Sequence, residues 1–487
     1  MKGGFVSTSP PFKKEDGMQK KVVETSATTG IGFAPEKKIF KVPSGTYNGR
    51  KVCIFQASSS EIKLCYADKP YTNWSSLVVI ASDAADFPFD AIMDSEGNIF
   101  VVYSEQTTNY LVSKKLILAQ GNWSVGAKVY IYNGGTTYAP SLVLEKSGKL
   151  WVSWSRIASG FYDIQVKSSV DSGATWGTGT TDIGDTLKAG LNVGVSKIVI
   201  TSNDLFVVYT GNGTDIFMRS QSISGGGWTP EYIIASGSDI DDHFDVTVSS
   251  DGLLSVVYDD NQLCYREYDG RNWSAVTVLD SNEASFPQLL FINNFPVVIY
   301  LTSLSAEQIL INYVHRRTGS FSSPSVLDNR ARQFDTVLLY DSTSSNYADL
   351  SNVAADDITA DIFHPSSGVM VKNSGDILYL GMEQPFRFIK FILATAGSGG
   401  TVNYSYWDGS NWQGVTLVNG IYHLDATDKD VLLWDDFFSA PLDWQKKLIN
   451  GINRFWVKIE VVSDYSIAPI GSQITAVSDI QAISVRR

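Results

Sequence analysis

Three pairs of neighbouring carboxylates are the first residues in this chain that could do chemistry: Asp241-Asp242, Asp259-Asp260 and Asp356-Asp357. Two carboxyls about 5 to 10 Å apart suffice for glycoside hydrolysis, one as acid and the other as base or nucleophile. In an acidic, loop-rich chain such pairs are more commonly solvated turn residues, and that reading is preferred. Asp239, Asp241 and Asp242 have the Asp-x-Asp spacing of a Ca2+ loop, a pattern too weak to predict the ion. The four histidines, His243, His315, His364 and His423, are scattered without metal-ligand spacing. The sequence has no Gly-x-Ser-x-Gly elbow and no phosphate-binding glycine loop. No catalytic residue is assigned, and no cofactor or metal is expected. Trp407 and Trp412 suggest binding instead, because flat indole rings stack on the C–H faces of sugars. The competing reading of these two, with Trp444 and Trp456, is core and turn packing.

The elements that must position these residues are repeats. Leu64-Cys65-Tyr66 with Asn73-Trp74-Ser75 recurs as Leu263-Cys264-Tyr265 with Asn272-Trp273-Ser274, at an offset of 199 throughout. The marker aromatics Trp74, Trp123, Trp176, Trp228, Trp273 and Phe321 are spaced 49, 53, 52, 45 and 48 residues apart. Between markers lie short β-branched and aromatic runs, bounded by Gly, Asn, Asp and Ser. Four hairpin-linked strands in such a unit make one propeller blade. The markers predict six blades over residues 39–330. A closed ring also removes most exposed strand edges. Residues 1–38 are polar and read as an extended arm, 331–368 as a connector, and 369–487 as a β-sandwich. The expected fold is all-β, with one short helix at Pro441 to Asn450.

The chain has 487 residues, 44% hydrophobic and 18% charged, as a folded protein should. Its net charge of −13 argues against a nucleic-acid groove and against binding an anionic membrane. No apolar run approaches the length of a membrane span. Met1 to Lys20 carries lysines but no apolar core of a signal peptide, so export by the general route is not expected. Cys53, Cys65 and Cys264 make no disulfide framework. Cys65 and Cys264 are expected at the same position in two repeats.

Ser169-Val170-Asp171-Ser172-Gly173-Ala174-Thr175-Trp176 fits the Asp-box, Ser-x-Asp-x-Gly-x-Thr-Trp, at every defined position. The segment resembles the sialidase-like β-propeller family. The resemblance implies a structural turn between third and fourth strands, built by Ser169, Asp171, Gly173, Thr175 and Trp176, on the face away from any active site. Catalysis does not carry over with it. Phe40-Lys41-Val42-Pro43 stands where the family has Phe/Tyr-Arg-Ile-Pro, and Lys41 cannot form the bidentate fork of an arginine on a carboxylate. Arg156, Arg219 and Arg266 give no convincing match to the other two arginines, and no Tyr–Glu nucleophile stands out among 23 tyrosines.

Four signatures near the C-terminus resemble a module of predicted bacteriophage virion and tail-associated proteins. They are Asp376 to Gly381, Tyr406-Trp407-Asp408-Gly409-Ser410-Asn411-Trp412, Asn450 to Ile459, and Ala468 to Ile474. This resemblance implies a jelly-roll-like sandwich used in attachment or assembly. The expected protein is a non-enzymatic structural or adhesive virion component of a tail, fibre, baseplate or decoration, assembled in the host cytoplasm. Its expected partners are other virion proteins, further copies of itself and a host-surface glycan, with no nucleic acid and no membrane insertion. The alternative is an extracellular propeller protein that binds or hydrolyses carbohydrate.

Overall fold

The computed structural model describes residues 39–477 apart from 69–73, 238–239, 241–243, 293, 306–307, 317–318, 327–330, 356–357, 419 and 435–439. The arm at 1–38, Asp239, Asp241, Asp242, Asp356, Asp357 and His243 lie outside the described residues. The described elements are all strands, and the chain divides near residue 328 into two compact units.

The first unit is a six-bladed propeller of antiparallel sheets taken in chain order. Blade 1 comprises Ile39–Lys41, Lys51–Ser58, Glu61–Ala67 and Val78–Ala81. Blade 3 comprises Thr136–Leu144, Leu150–Ala158, Phe161–Ser169 and Asp185–Leu191. Blades 4, 5 and 6 repeat this order from Ser196–Ile200, Phe244–Val248 and Ser285–Ile292. Blade 2 begins at Asp90–Met93 and splits its outer edge between Asn122–Val125 and Val129–Tyr132, both paired with Leu111–Ala119. The second strands Ile99–Ser104 and Leu254–Asp259 are buried along their whole length, because each blade is packed on both faces. Successive apolar clusters join blades 1 and 2, 2 and 3, 3 and 4, 4 and 5, and 5 and 6.

The markers reflect a shared backbone bond. In five blades the residue after the marker returns its N–H to a third-strand carbonyl: Ser75 to Tyr66, Gly177 to Ser168, Thr229 to Ser220, Ser274 to Glu267 and Ser322 to His315. In blade 2 Gly126 makes that bond, to Lys115, and Trp123 lies in an added hairpin opposite Leu118. The repeated Leu-Cys-Tyr triplets are not equivalent, contrary to expectation. The Tyr66 N–H donates to Ser75 Oγ, whereas the Ser274 Oγ receives the N–H of Glu267. Arg266 therefore matches Cys65, and Cys264 is two residues out of step. A slip of two leaves every side chain on its original face, so the apolar pattern survives it. Cys53 lies directly opposite Cys65, and all three cysteines are buried, with no disulfide among them.

The second unit is a sandwich. Its strands are β1 (Ala331–Gln333), β2 (Thr336–Asp341), β3 (Asn346–Asp349), β4 (Ile377–Met382), β5 (Phe388–Thr395) and β6 (Thr401–Trp407). They continue with β7 (Trp412–Gly414), β8 (Asp428–Leu432), β9 (Lys446–Ile449), β10 (Ile452–Ser463) and β11 (Ile470–Val477). One sheet runs β1-β11-β5-β8 and the other β3-β2-β4-β10-β6-β7, with β9 on β10. With β2, β3 and β9 set aside, the eight remaining strands run first-eighth-third-sixth and second-seventh-fourth-fifth. That is the order of a jelly roll. Its core lies between the sheets, with Leu378, Leu380, Val457 and Ile459 facing Ile389, Phe391, Val431 and Ile474.

Two expectations are corrected here. Residues 331–368 are not merely a connector, because β1, β2 and β3 within them belong to the two sheets. The apolar run Val337-Leu338-Leu339 is wholly buried and takes β2 into the sandwich. Pro441 to Asn450 is not a helix but a turn followed by β9. Asn450 and Gly451 take φ values of 46° and 81°, joining Ile449 to Ile452 as a two-residue hairpin.

Candidate functional site

The Asp-box residues form one turn in blade 3. The Ser169 hydroxyl donates to Asp171 Oδ1 at 2.7 Å and accepts the Gly173 N–H at 2.9 Å. Thr175 donates its N–H to Asp171 Oδ1 at 2.9 Å and its hydroxyl to Oδ2 at 2.6 Å. The Thr175 hydroxyl, its N–H and the Ser169 hydroxyl pull the Asp171 carboxyl down to about 2. Trp176 is buried between blades 2 and 3 and donates to Ser113 Oγ at 3.3 Å. The side chains of Ser169, Asp171 and Thr175 are spent on the turn itself.

Among the described residues of the propeller, the arginines that could grip a substrate carboxylate are engaged elsewhere. Lys41 is exposed at the end of its strand. Arg156 pairs with Asp163 at 2.6 Å. Arg219 and Arg266 occupy one register position that the sequence did not reveal, shared with Lys114 and Lys167. These four face Val207, Val256, Val101 and Val152 on their second strands. Each donates to a carbonyl in the outer strand of the preceding blade. Lys114 reaches Ile80 at 2.8 Å, Lys167 reaches Ile131 at 2.8 Å, Arg219 reaches Leu187 at 2.9 Å, and Arg266 reaches Ile234. Cys65 in blade 1 and Val314 in blade 6 hold the same position, opposite Cys53 and Val298. Only the register makes this set visible, since the spacing to the marker differs between blades.

Tyr–Glu contacts do occur. Tyr209 donates to Glu231 at 2.7 Å and Tyr265 to Glu267 at 2.6 Å. Burial first, and the neighbouring carboxylate second, push both phenols well up, which opposes formation of a nucleophilic phenolate. Asp83 and Glu105 are brought together by Lys128, which lies 2.6 Å from Asp83 and also binds Glu105. Burial alone would raise both carboxyls, but Lys128 with the hydroxyls of Tyr103 and Thr108 holds them below the usual range. Neither is suited to donate a proton near neutral pH. Asp259 is buried near the Ala284 N–H, while Asp260 begins a turn. A cavity of about 100 Å³ between the first strands of blades 3, 4 and 5 is lined by Leu142, Lys197, Ile198 and Thr247. That is small beside the several hundred Å³ of ordinary ligand pockets. His315, His364 and His423 lie in separate places, with His364 Nδ1 accepting from Ser366 and His423 Nδ1 from Val402. Among the described residues no group of three or more potential metal ligands is present.

The sandwich brings its aromatics together on the outer face of the β3-β2-β4-β10-β6-β7 sheet. Trp407 and Trp412 pair directly across a hairpin, with ring centroids 5.6 Å apart. The turn is held by Asp408, whose Oδ1 accepts the N–H groups of Ser410 and Asn411. Trp412 also lies 6.0 Å from Tyr379, which continues to Tyr347 at 6.3 Å and from there to Tyr340 at 4.9 Å. Beneath them Trp456 is fully buried over Gly381, and its indole N–H donates to the Lys447 carbonyl at 2.7 Å. The floor of this patch, Tyr379 and Trp456, is packing; the rim is not. Tyr347 is 39% exposed, and Tyr340, Trp407 and Trp412 are half-buried. Two lysines lie on the rim. Lys447 Nζ is 3.1 Å from the Trp407 ring centroid, and Lys458 Nζ is 5.1 Å from that of Trp412. Trp444, grouped with these in the sequence, belongs instead to the core between the sheets.

The fold and this site define an all-β protein in which a six-bladed propeller is followed by a jelly roll with an aromatic rim. No family model and no curated protein sequence matches the chain. Among solved structures it is similar to a PL25 ulvan lyase, with 9% identity over 74% of this chain and 92% of that one and a TM-score of 0.47. It is similar to the six-bladed fungal lectin of Aleuria aurantia, with 14% identity over 58% and 92% and a TM-score of 0.39. A sialidase of Trypanosoma rangeli is aligned over 93% of this chain and 95% of its own, with 10% identity and a TM-score of 0.38. Identities this low concern the fold alone.

Proposed function

We propose that this protein is a non-enzymatic adhesin that holds a glycan on the aromatic rim of its sandwich, as a surface component of a bacteriophage particle. The observation that carries the binding reading is the rim itself. Tyr340, Tyr347, Trp407 and Trp412 keep partly open ring surface around a packed aromatic floor. A ring that only filled a core would be covered, as Trp456 is. Partly open rings offer the flat surface on which a sugar stacks. The particle reading rests on the C-terminal signatures and is supported by the propeller's outer strands. Leu77 and Val79 in blade 1, Tyr232 and Ile233 in blade 4, and Val276 and Val278 in blade 5 each remain about half exposed. Apolar side chains along outer strands suit contact with further copies or other virion proteins.

A glycan array probed with the full chain, followed by calorimetry on the retained glycans, tests the binding. Trp412→Ala is expected to weaken binding about tenfold, the loss of one stacking contact. Unchanged affinity in both Trp407→Ala and Trp412→Ala would refute this site. Release of reducing ends from a bound glycan would refute the non-enzymatic part. Cryo-electron microscopy of the source particles tests the location, which fails if intact virions lack the chain.

A further inference from the structure

The rim carries positive charge on its aromatic rings. The chain is strongly acidic, with a net charge of −13. At the rim, however, two ammonium groups lie on the two tryptophans. Lys458 is paired with Glu460 at 2.7 Å. Lys447 has no carboxylate partner among the described residues. Its ammonium lies over the Trp407 ring and is 5.9 Å from the Trp412 ring centroid. The nearby acid of the hairpin, Asp408, is committed to its own turn and to the amide of Gln413 at 2.7 Å. On the same strand Lys446 lies against Phe455 and pairs with Glu383. Among the described residues Lys447 is thus a cation without an acid, held against a half-open indole pair.

We propose that the rim selects a sugar ring bearing a carboxylate, a hexuronate, with Trp412 and Trp407 contacting the ring and Lys447 receiving the carboxylate. This inference rests on the glycan-binding reading and names its ligand class. A neutral sugar would leave the Lys447 ammonium without a counter-charge. A uronate would supply one at the edge of the stacked ring, and a hydrogen bond to a charged group is among the stronger polar contacts. Lysine is a point charge rather than a fork, so the geometry asks for a carboxylate within reach and fixes no bidentate angle.

The test uses the full chain against an array of oligogalacturonates and oligoglucuronates beside neutral oligogalactosides and oligoglucosides of equal length. Calorimetry at low and high salt follows. The expected result is preferential binding of a uronate oligomer, weakened by salt. Lys447→Met, which keeps the aliphatic stem over Trp407, should lower uronate affinity at least tenfold and leave any neutral affinity unchanged. Lys447→Arg should retain the preference. Neutral oligomers bound as tightly as uronates, with Lys447→Met silent, would overturn the uronate inference while the aromatic-rim reading stands. Binding of neither class would overturn both. Thermal melting of each variant confirms that a loss of affinity is not a loss of fold.

Discussion

Replacing Lys167 with methionine should destabilise the propeller by about 3 kcal/mol. The ammonium is almost wholly buried, at 3% exposure, and donates to the carbonyls of Ile131 at 2.8 Å, Gly179 at 2.7 Å and Asp182 at 2.7 Å. Burial lowers its pKa, so part of the gain from these bonds is already consumed in desolvating the charge. Hydrogen bonds to a charged group contribute roughly 1.5 to 3 kcal/mol each, which sets the gross figure for three at about 4.5 to 9 kcal/mol. The substitution also removes the burial cost of the charge. Gly179 is exposed and its carbonyl can turn to water, so the lasting cost falls on the carbonyl of Ile131, a buried residue in the outer strand of the preceding blade. About 3 kcal/mol is the balance. Equilibrium unfolding in urea should show it as a midpoint lowered by about 1 M, for a slope near 3 kcal/mol/M. The exposed Lys146, changed to methionine, is the control. A Lys167→Met midpoint indistinguishable from that control would refute the claim that these cations fasten one blade to the next.

Other outcomes follow from separate features. Gly381→Ala places a Cβ 2.4 Å from the Trp456 ring, which has no free space to move into. Overpacking of this kind costs about 1 to 3 kcal/mol, so the variant should melt earlier and, by lifting the aromatic floor, bind glycan more weakly. The Asp171 carboxyl should titrate near 2, against an ordinary 3.8, in an NMR pH series. Because its folded value is depressed, its stabilisation is complete above the ordinary value and is lost as the pH falls from there through about 2. Asp171→Asn should abolish that acid-side dependence, and an unshifted titration would contradict the turn's hydrogen bonding.

Much of the propeller could be read directly from residue types. Short apolar runs and Gly-Asn-Asp turns locate the strands, because a blade is built from hairpins whose signals are local. The inter-blade cations could not be read that way. Lys114, Lys167 and Arg219 stand nine residues before Trp123, Trp176 and Trp228, but Arg266 stands seven before Trp273. A loop two residues shorter hid the equivalence and made Cys264 look like the partner of Cys65. The Asn450-Gly451 dipeptide is itself a local hairpin signal, whereas a helix at 441–450 rests on the single proline at 441. Strand β2 was missed because Thr336 to Asp341 is flanked by Ser-, Asn- and Asp-rich sequence typical of a linker. At the rim, Trp407 and Trp412 were legible from their place around a tight turn. Tyr340, Tyr347 and Lys447 were not, because they come from three other strands and only the sheet order assembles them.

The direction of the inter-blade bonds bears on how the ring is made during synthesis. Each cation reaches back to the blade before it: Lys114 to blade 1, Lys167 to blade 2, Arg219 to blade 3 and Arg266 to blade 4. A ribosome releases the acceptor strand first and the donor later, so each of blades 1 to 4 can be clasped by its successor as soon as that successor's third strand emerges. Blade 1 carries Cys65 at this position. The clasps of the nascent propeller therefore run in one direction, from blade 5 back to blade 1, and blade 6, with Val314 at this position, adds none.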